Sequence, residues 1–365
     1  MDTLTRFQDG PATTRPPGKD LPALRTRNVN TPCGLGGSGV SLVVTEDAKG
    51  PLATPDSTLR NLVGGRGRRP TFREMGVSLG KQVRLTRMMY EHGPGGGTLL
   101  VLPIDQGLEH GPMDFFSNPE ALDPEYQFRL ALAGNFSAIA LHVGLAEKFL
   151  ESYAGKVPLI LKINGKTGIP SDAQAFSPLT ATVEDAVRLG ADGVGYTLYV
   201  GSPAQDRDIA QAMQVRRDCE RWGMPLIIWA YPRGEAVGKK GGKESFFAVD
   251  YAARVAQEIG ADIVKLNFPV PSEKDADAPP PYNSLHLSPE EMFQKVVRTA
   301  GRTRVLVSGG EKVPDGPMLA KVRASMAAGA TGIIFGRNLW QRPWQGALSI
   351  TREIHAIFRE FADTP

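Results

Sequence analysis

A chain of 365 residues with 41% hydrophobic and 22% charged residues has the material for one large core. Cys33 and Cys219, its two cysteines, stand far apart; this excludes a disulfide framework or a zinc knuckle and fits a reducing, cytoplasmic setting. The net charge of +3 comes from residues 1–70, with ten Lys/Arg against six Asp/Glu, so the body lacks the basic field that nucleic acid needs. No apolar stretch reaches the roughly 18 residues of a membrane span.

Residues 1–70 also hold eight prolines and no sustained helical or strand period, and they close on the linker-like run Gly64-Gly65-Arg66-Gly67-Arg68-Arg69-Pro70. That composition predicts a disordered N-terminal extension over residues 1–74, with a catalytic domain over 75–365. A chain beginning near Met75 is then expected to fold and turn over normally. Asp2, Asp9 and Asp20 speak against an acid-poor organellar import signal. From Leu99 onward short apolar runs alternate with amphipathic stretches. The predicted strands are 99–104, 138–143, 159–163, 193–199, 226–231, 262–266, 305–308 and 332–335. Helices are predicted over 182–189, 206–221, 249–259, 289–300 and 317–328. Repeated βα units imply a parallel sheet buried on both faces, and eight evenly spaced runs predict closure into a (β/α)8 TIM barrel. The rival is an open doubly wound sheet, which usually begins with a glycine-rich turn after its first strand. Here Gly93-Pro94-Gly95-Gly96-Gly97 precedes its strand, so it reads as a turn and not as a phosphate cradle.

Catalytic groups of such barrels sit at the C-terminal ends of the strands. Those ends carry Asp105, Lys162, Tyr231, Lys265, Ser308-Gly309-Gly310 and Gly336-Arg337. The last two, after strands seven and eight, combine backbone N–H groups, one hydroxyl and a guanidinium at a helix start, which together suit a phosphate. Lys265 ends the apolar run Gly260-Ala261-Asp262-Ile263-Val264-Lys265. Burial disfavours an ammonium, and the usual use of a depressed lysine is a neutral amine that attacks carbonyls. A second ammonium nearby lowers the pKa further, and Lys162 is the candidate; its alternative is a salt bridge to Asp105. Tyr231, one strand before Lys265, is placed for proton transfer beside a Schiff base, against the plainer reading of a packed ring. Asp105 is placed to orient a substrate hydroxyl or shuttle protons.

The run Pro103-Ile104-Asp105-Gln106-Gly107-Leu108-Glu109-His110-Gly111-Pro112 resembles the first-strand signature of archaeal-type class I fructose-bisphosphate aldolases. Leu161-Lys162-Ile163-Asn164-Gly165-Lys166-Thr167, the stretch from Trp229 to Gly234, Ala261 to Lys265, Ser308-Gly309-Gly310 and Gly336-Arg337-Asn338 resemble later motifs of that family in the same order. The resemblance implies a Schiff base on Lys265, acid–base catalysis by Tyr231 and assistance from Asp105. Ser308, Gly309, Gly310, Gly336, Arg337, Lys162, Trp229 and Arg233 would then bind substrate and its phosphates, with Arg233 and Lys166 the candidates for a distal phosphate, against the plainer reading of exposed loop charges. The implied reaction is reversible cleavage of fructose 1,6-bisphosphate to glycerone phosphate and glyceraldehyde 3-phosphate, as in glycolysis and gluconeogenesis. It needs neither metal nor organic cofactor and belongs to a homo-oligomer.

The rival function is a related Schiff-base synthase or thiolase acting on another phosphorylated sugar or ketone; a thiolase would not be expected to carry Tyr231. His92, His110 and His142 form no compact metal pattern, which speaks against a zinc-dependent aldolase, and His110 reads as a structural loop group. Segment 268–288, Pro-rich and acidic, lengthens the loop after Lys265 and is expected to bear on access or subunit contacts.

Overall fold

The computed structural model describes residues 68–363. Eight parallel strands close a barrel in sequence order: β1 (Leu99–Pro103), β2 (Ala138–His142), β3 (Leu159–Lys162), β4 (Gly193–Val200), β5 (Leu226–Pro232), β6 (Ile263–Leu266), β7 (Arg304–Ser308) and β8 (Gly332–Ile334). β8 pairs back onto β1, with Leu99 opposite Gly332. The expected TIM barrel is therefore present, and each predicted strand falls within two residues of its observed bounds.

An N-terminal helix α1 (Leu79–Thr86) precedes the barrel. Helices α2 (Pro124–Ala133), α3 (Val143–Phe149), α4 (Val183–Arg188), α5 (Gln205–Trp222), α6 (Phe246–Glu258), α7 (Pro289–Thr299) and α8 (Asp315–Ala327) lie in turn between successive strands, and α9 (Trp344–Glu360) follows β8. Capping explains several starts. Thr182 with Asp185 and Ser288 with Glu291 form capping boxes that satisfy orphan N–H groups at the starts of α4 and α7.

Strand residues alternate between two cores because successive side chains point to opposite faces. Leu100, Leu102, Val194, Tyr196, Ile228 and Val264 join the large core beneath the helices. Leu99, Val101, Ile160, Ile227, Trp229 and Ile263 fill the barrel interior. Asp105, Lys162, Tyr231 and Lys265 share the parity of this second set, so the pleat that builds the interior also turns them inward.

One sequence expectation needs correction. Residues 68–74, assigned above to the extension, are built into the barrel. Arg69 Nη2 contacts Asp363 Oδ1 at 2.6 Å and also donates to the Phe361 carbonyl. The buried Arg304 donates from Nε to Pro70 O at 3.1 Å and lies 5.5 Å over the Phe72 ring. The following residues, Leu85, Met88 and Met89, are fully buried and close the N-terminal end of the barrel. Lys81 latches this segment to Asp262 at 2.9 Å, and Arg87 holds Asp192 at 2.9 Å. The expectation for residues 1–67 lies outside the described residues. Deleting residues 1–67 should leave the melting temperature and turnover unchanged. A chain starting at Met75 should lose about 1–3 kcal/mol in denaturant unfolding, because it removes the Pro70 and Phe72 contacts of the buried Arg304, which keeps its bond to Gly97 O, together with the Arg69 contacts.

Candidate active site

Lys265 ends the inward-facing positions of β6 and is 6% exposed. Its register partner across the sheet is Trp229. The ammonium lies 5.4 Å from the Trp229 ring centre and 5.3 Å from that of Tyr231. Lys162 Nζ also lies close to the same indole, 5.3 Å from the ring centre. The indole fits inside the barrel because β4 has glycine at the facing position: a Cβ on Gly195 would come within 2.5 Å of the indole and 3.2 Å of Lys162 Cδ. Trp229 Nε1 is buried without a protein hydrogen-bond partner.

The two lysines are driven in opposite directions. Burial pushes Lys265 down, and the Lys162 and Arg337 charges add to that against Asp105 and Glu109, leaving its pKa at about 8. For Lys162 the cost of burial is overcome by Glu109 and Asp105, which hold its pKa above the ordinary lysine value. Lys162 Nζ is 2.9 Å from Glu109 Oε1 and 3.4 Å from Asp105 Oδ2. Both sequence readings of Lys162 therefore hold at once: it is paired with Asp105, and it is a permanent positive charge that favours a neutral Lys265. Glu109, its closer partner, was not singled out from the sequence, although it lies four residues after Asp105 in the same motif.

Asp105 is desolvated, which alone raises a carboxyl pKa, but the neighbouring ammonium groups, Lys162 first and then Lys265, outweigh this and keep it low. Tyr231 moves up, first through burial and then through the Glu109 and Asp105 charges, so its phenol holds the proton. His142 is pushed down to about 4 by burial and Lys162 and is neutral. His110 pairs with Asp114 at 2.8 Å, in keeping with a structural loop role, and Arg337 Nε lies 4.0 Å from the same carboxylate. Among the described residues no three His, Cys, Asp or Glu side chains gather as metal ligands.

The expected phosphate turn is present, with its donors redistributed. The Ser308 hydroxyl donates to Asn267 Oδ1 at 2.6 Å, and the Gly309 N–H turns to Ile334 O at 3.3 Å. These two groups, offered to phosphate by the sequence reading, also brace the loop. Lys321 of α8 and Asn338, neither assigned a role from the sequence, hold the loop carbonyls: Lys321 Nζ donates to Ser308 O at 3.0 Å, and Asn338 Nδ2 to Glu311 O at 3.0 Å. Gly310 follows at φ +70, a left-handed conformation that a side chain would strain. After β8, Gly336 caps a single helical turn, Arg337–Trp340, too short for a sizeable dipole. The charge at this site thus comes chiefly from Arg337, half-buried beside the loop.

Arg233 and Lys166 stand apart from that turn and meet each other through Asp172. Segment 268–288 packs against α6: Tyr282 lies on Phe246 and Phe247, and its hydroxyl reaches Asp250 of that helix at 2.6 Å.

The assembled groups are a buried amine with a depressed pKa, a phenol that keeps its proton, an ionised carboxylate and a cation-bearing turn, all at one barrel mouth. Fructose-bisphosphate aldolase class 1 of Thermoproteus tenax is 38% identical over 259 residues, covering 71% of this chain and 88% of that one. The fructose-bisphosphate aldolase/6-deoxy-5-ketofructose 1-phosphate synthase of Methanocaldococcus jannaschii is 33% identical over 271 residues, 72% of this chain and 81% of the relative. A solved archaeal fructose-1,6-bisphosphate aldolase, its catalytic lysine bound to the carbinolamine intermediate of the substrate, matches at 36% identity and a TM-score of 0.64, over 76% of this chain and 98% of its own. The family model described as DeoC/LacD family aldolase matches residues 99–342. This chain belongs to the DeoC/LacD family of aldolases.

Proposed function

We propose that the chain is a class I fructose-bisphosphate aldolase that uses Lys265 as its Schiff-base residue. The observation that carries this reading is the pairing of two buried lysines about Trp229, one held charged and the other driven toward neutrality beside a protonated phenol. Relatives named for fructose-bisphosphate cleavage support the substrate.

Lys265 Nζ adds to the C2 carbonyl of the ketose. A proton passes from nitrogen to oxygen, and the carbinolamine hydroxyl leaves as water, giving an iminium. Asp105, ionised beside Lys162, accepts and returns protons in these steps. The C4 hydroxyl then loses its proton, the C3–C4 bond breaks, and glyceraldehyde 3-phosphate departs while the electron pair enters the enamine. Asp105 takes the proton from the C4 hydroxyl, Tyr231 delivers its own proton to C3, and the proton held by Asp105 then restores the phenol. Hydrolysis of the second iminium releases glycerone phosphate and the free amine. Arg337 and the Gly310 turn hold the phosphate next to C1, which keeps C2 over Lys265.

An ordinary lysine with a pKa near ~10.4 is neutral in roughly one molecule in a few thousand at pH 7, whereas a value near 8 raises that to about one in ten. Because the shift is downward, the reactive amine accumulates as pH rises and saturates once pH passes about 8. Single-turnover iminium formation with glycerone phosphate should therefore climb with pH and level off near 8; a rate still climbing past pH 10 would show an unperturbed lysine. The function itself is tested by assaying purified protein for release of both triose phosphates from fructose 1,6-bisphosphate. Turnover of another ketose phosphate with no cleavage of the bisphosphate would favour the synthase activity also named for the Methanocaldococcus relative.

A further inference from the structure

Beyond β3 the chain carries Lys166 and Asp172, and Arg233 follows β5. Lys166 Nζ lies 2.9 Å from Asp172 Oδ1, and Arg233 Nε lies 2.9 Å from Asp172 Oδ2. One carboxylate thus spends both oxygens on two separate cations. The cations are mostly covered, at 16% and 19% exposure, while Asp172 is 49% exposed. Arg233 is further fixed: its Nη1 donates to Pro232 O at 2.8 Å, and its guanidinium lies 5.2 Å over the Tyr231 ring. The positive pair is therefore built into the rim beside Tyr231, and the anion between them is the exposed partner.

An exposed carboxylate gains little net free energy from such contacts. A phosphate dianion brings more charge and matches the guanidinium fork with two oxygens. We propose that Asp172 is a stand-in for the distal phosphate of the substrate: it occupies the Lys166–Arg233 pair in the empty enzyme and is displaced when that phosphate binds. This rests on the ketose-bisphosphate reading above and adds an exchange of anions at the rim. Burial alone would raise the Asp172 pKa, but the Lys166 and Arg233 contacts outweigh it, so the competitor is charged at neutral pH. A substrate without a distal phosphate has nothing to exchange and leaves Asp172 in place. Asp172 accordingly governs selectivity between bisphosphates and monophosphates.

The test is steady-state kinetics of the full chain and its variants on fructose 1,6-bisphosphate and fructose 1-phosphate. Asp172→Asn keeps the shape and removes the charge. It should lower KM for the bisphosphate about three- to tenfold, the scale of two exposed ion pairs, with KM for the monophosphate unchanged. Asp172→Ala should likewise lower the bisphosphate KM and leave the monophosphate KM unchanged. A bisphosphate KM that stays the same or rises in both variants would overturn the exchange, since Asp172 would then be part of the binding site. Arg233→Ala should raise the bisphosphate KM more than the monophosphate KM. If it shifts neither, the cation pair is not the distal phosphate site, and the inference falls while bisphosphate cleavage stands. Failure of the unaltered protein to cleave the bisphosphate would remove the functional reading itself.

Discussion

Lys265→Met is expected to remove bisphosphate cleavage by a factor on the order of 10⁴ or more, because every bond change runs through its amine. Methionine preserves most of the side-chain volume against Trp229 and Tyr231. It also removes a charge whose burial is costly, so the melting temperature should stay level or rise. Low activity with an intact fold separates chemistry from collapse. Activity within tenfold of the unaltered protein would mean that another group carries the carbonyl, with Lys162 the nearest candidate.

Tyr231→Phe should lower cleavage by on the order of 10²–10⁴, the usual range for removing a general acid. The ring remains to pack against Lys265 and beneath Arg233, so substrate should still form its iminium. Proton exchange at the carbon of glycerone phosphate next to the carbonyl should fall in parallel with cleavage. Exchange at the ordinary rate would reduce Tyr231 to a packing residue. The proton transfer would then pass to Asp105, whose Asn variant should show the larger defect.

The groups in these predictions were legible because a barrel strand encodes position twice. The apolar run marks the strand and its C-terminal end marks the catalytic mouth, so Asp105, Lys162, Tyr231 and Lys265 could be placed together from the sequence. Pairings across the mouth follow a different rule. Glu109 reaches Lys162 only because a turn after β1 folds over β3, and no local period records that. Lys321 was hidden for a similar reason, since it belongs to a helix and contributes by donating to a carbonyl at the end of β7. Ser308 and Gly309 illustrate the limit of composition: a hydroxyl and a bare amide suit a phosphate equally well whether they bind it or brace the loop. The start of the barrel was set too late because residues 68–74 have the polar, arginine-rich look of a linker. Their order comes from remote partners, Arg304 and Asp363, more than 200 positions away in the chain. Helix α1 was overlooked because one of its two buried positions is Lys81 while Leu79 and Val83 face solvent, so its apolar side chains do not mark the face that packs.

The central claim is that Lys265, and not Lys162, forms the covalent bond. Borohydride reduction in the presence of glycerone phosphate, followed by digestion and mass spectrometry, addresses it directly. The account predicts one reduced triose phosphate adduct per chain, located on Lys265, since Lys162 is locked as an ammonium by Glu109 and Asp105. An adduct on Lys162, with Lys265 unmodified, would contradict it.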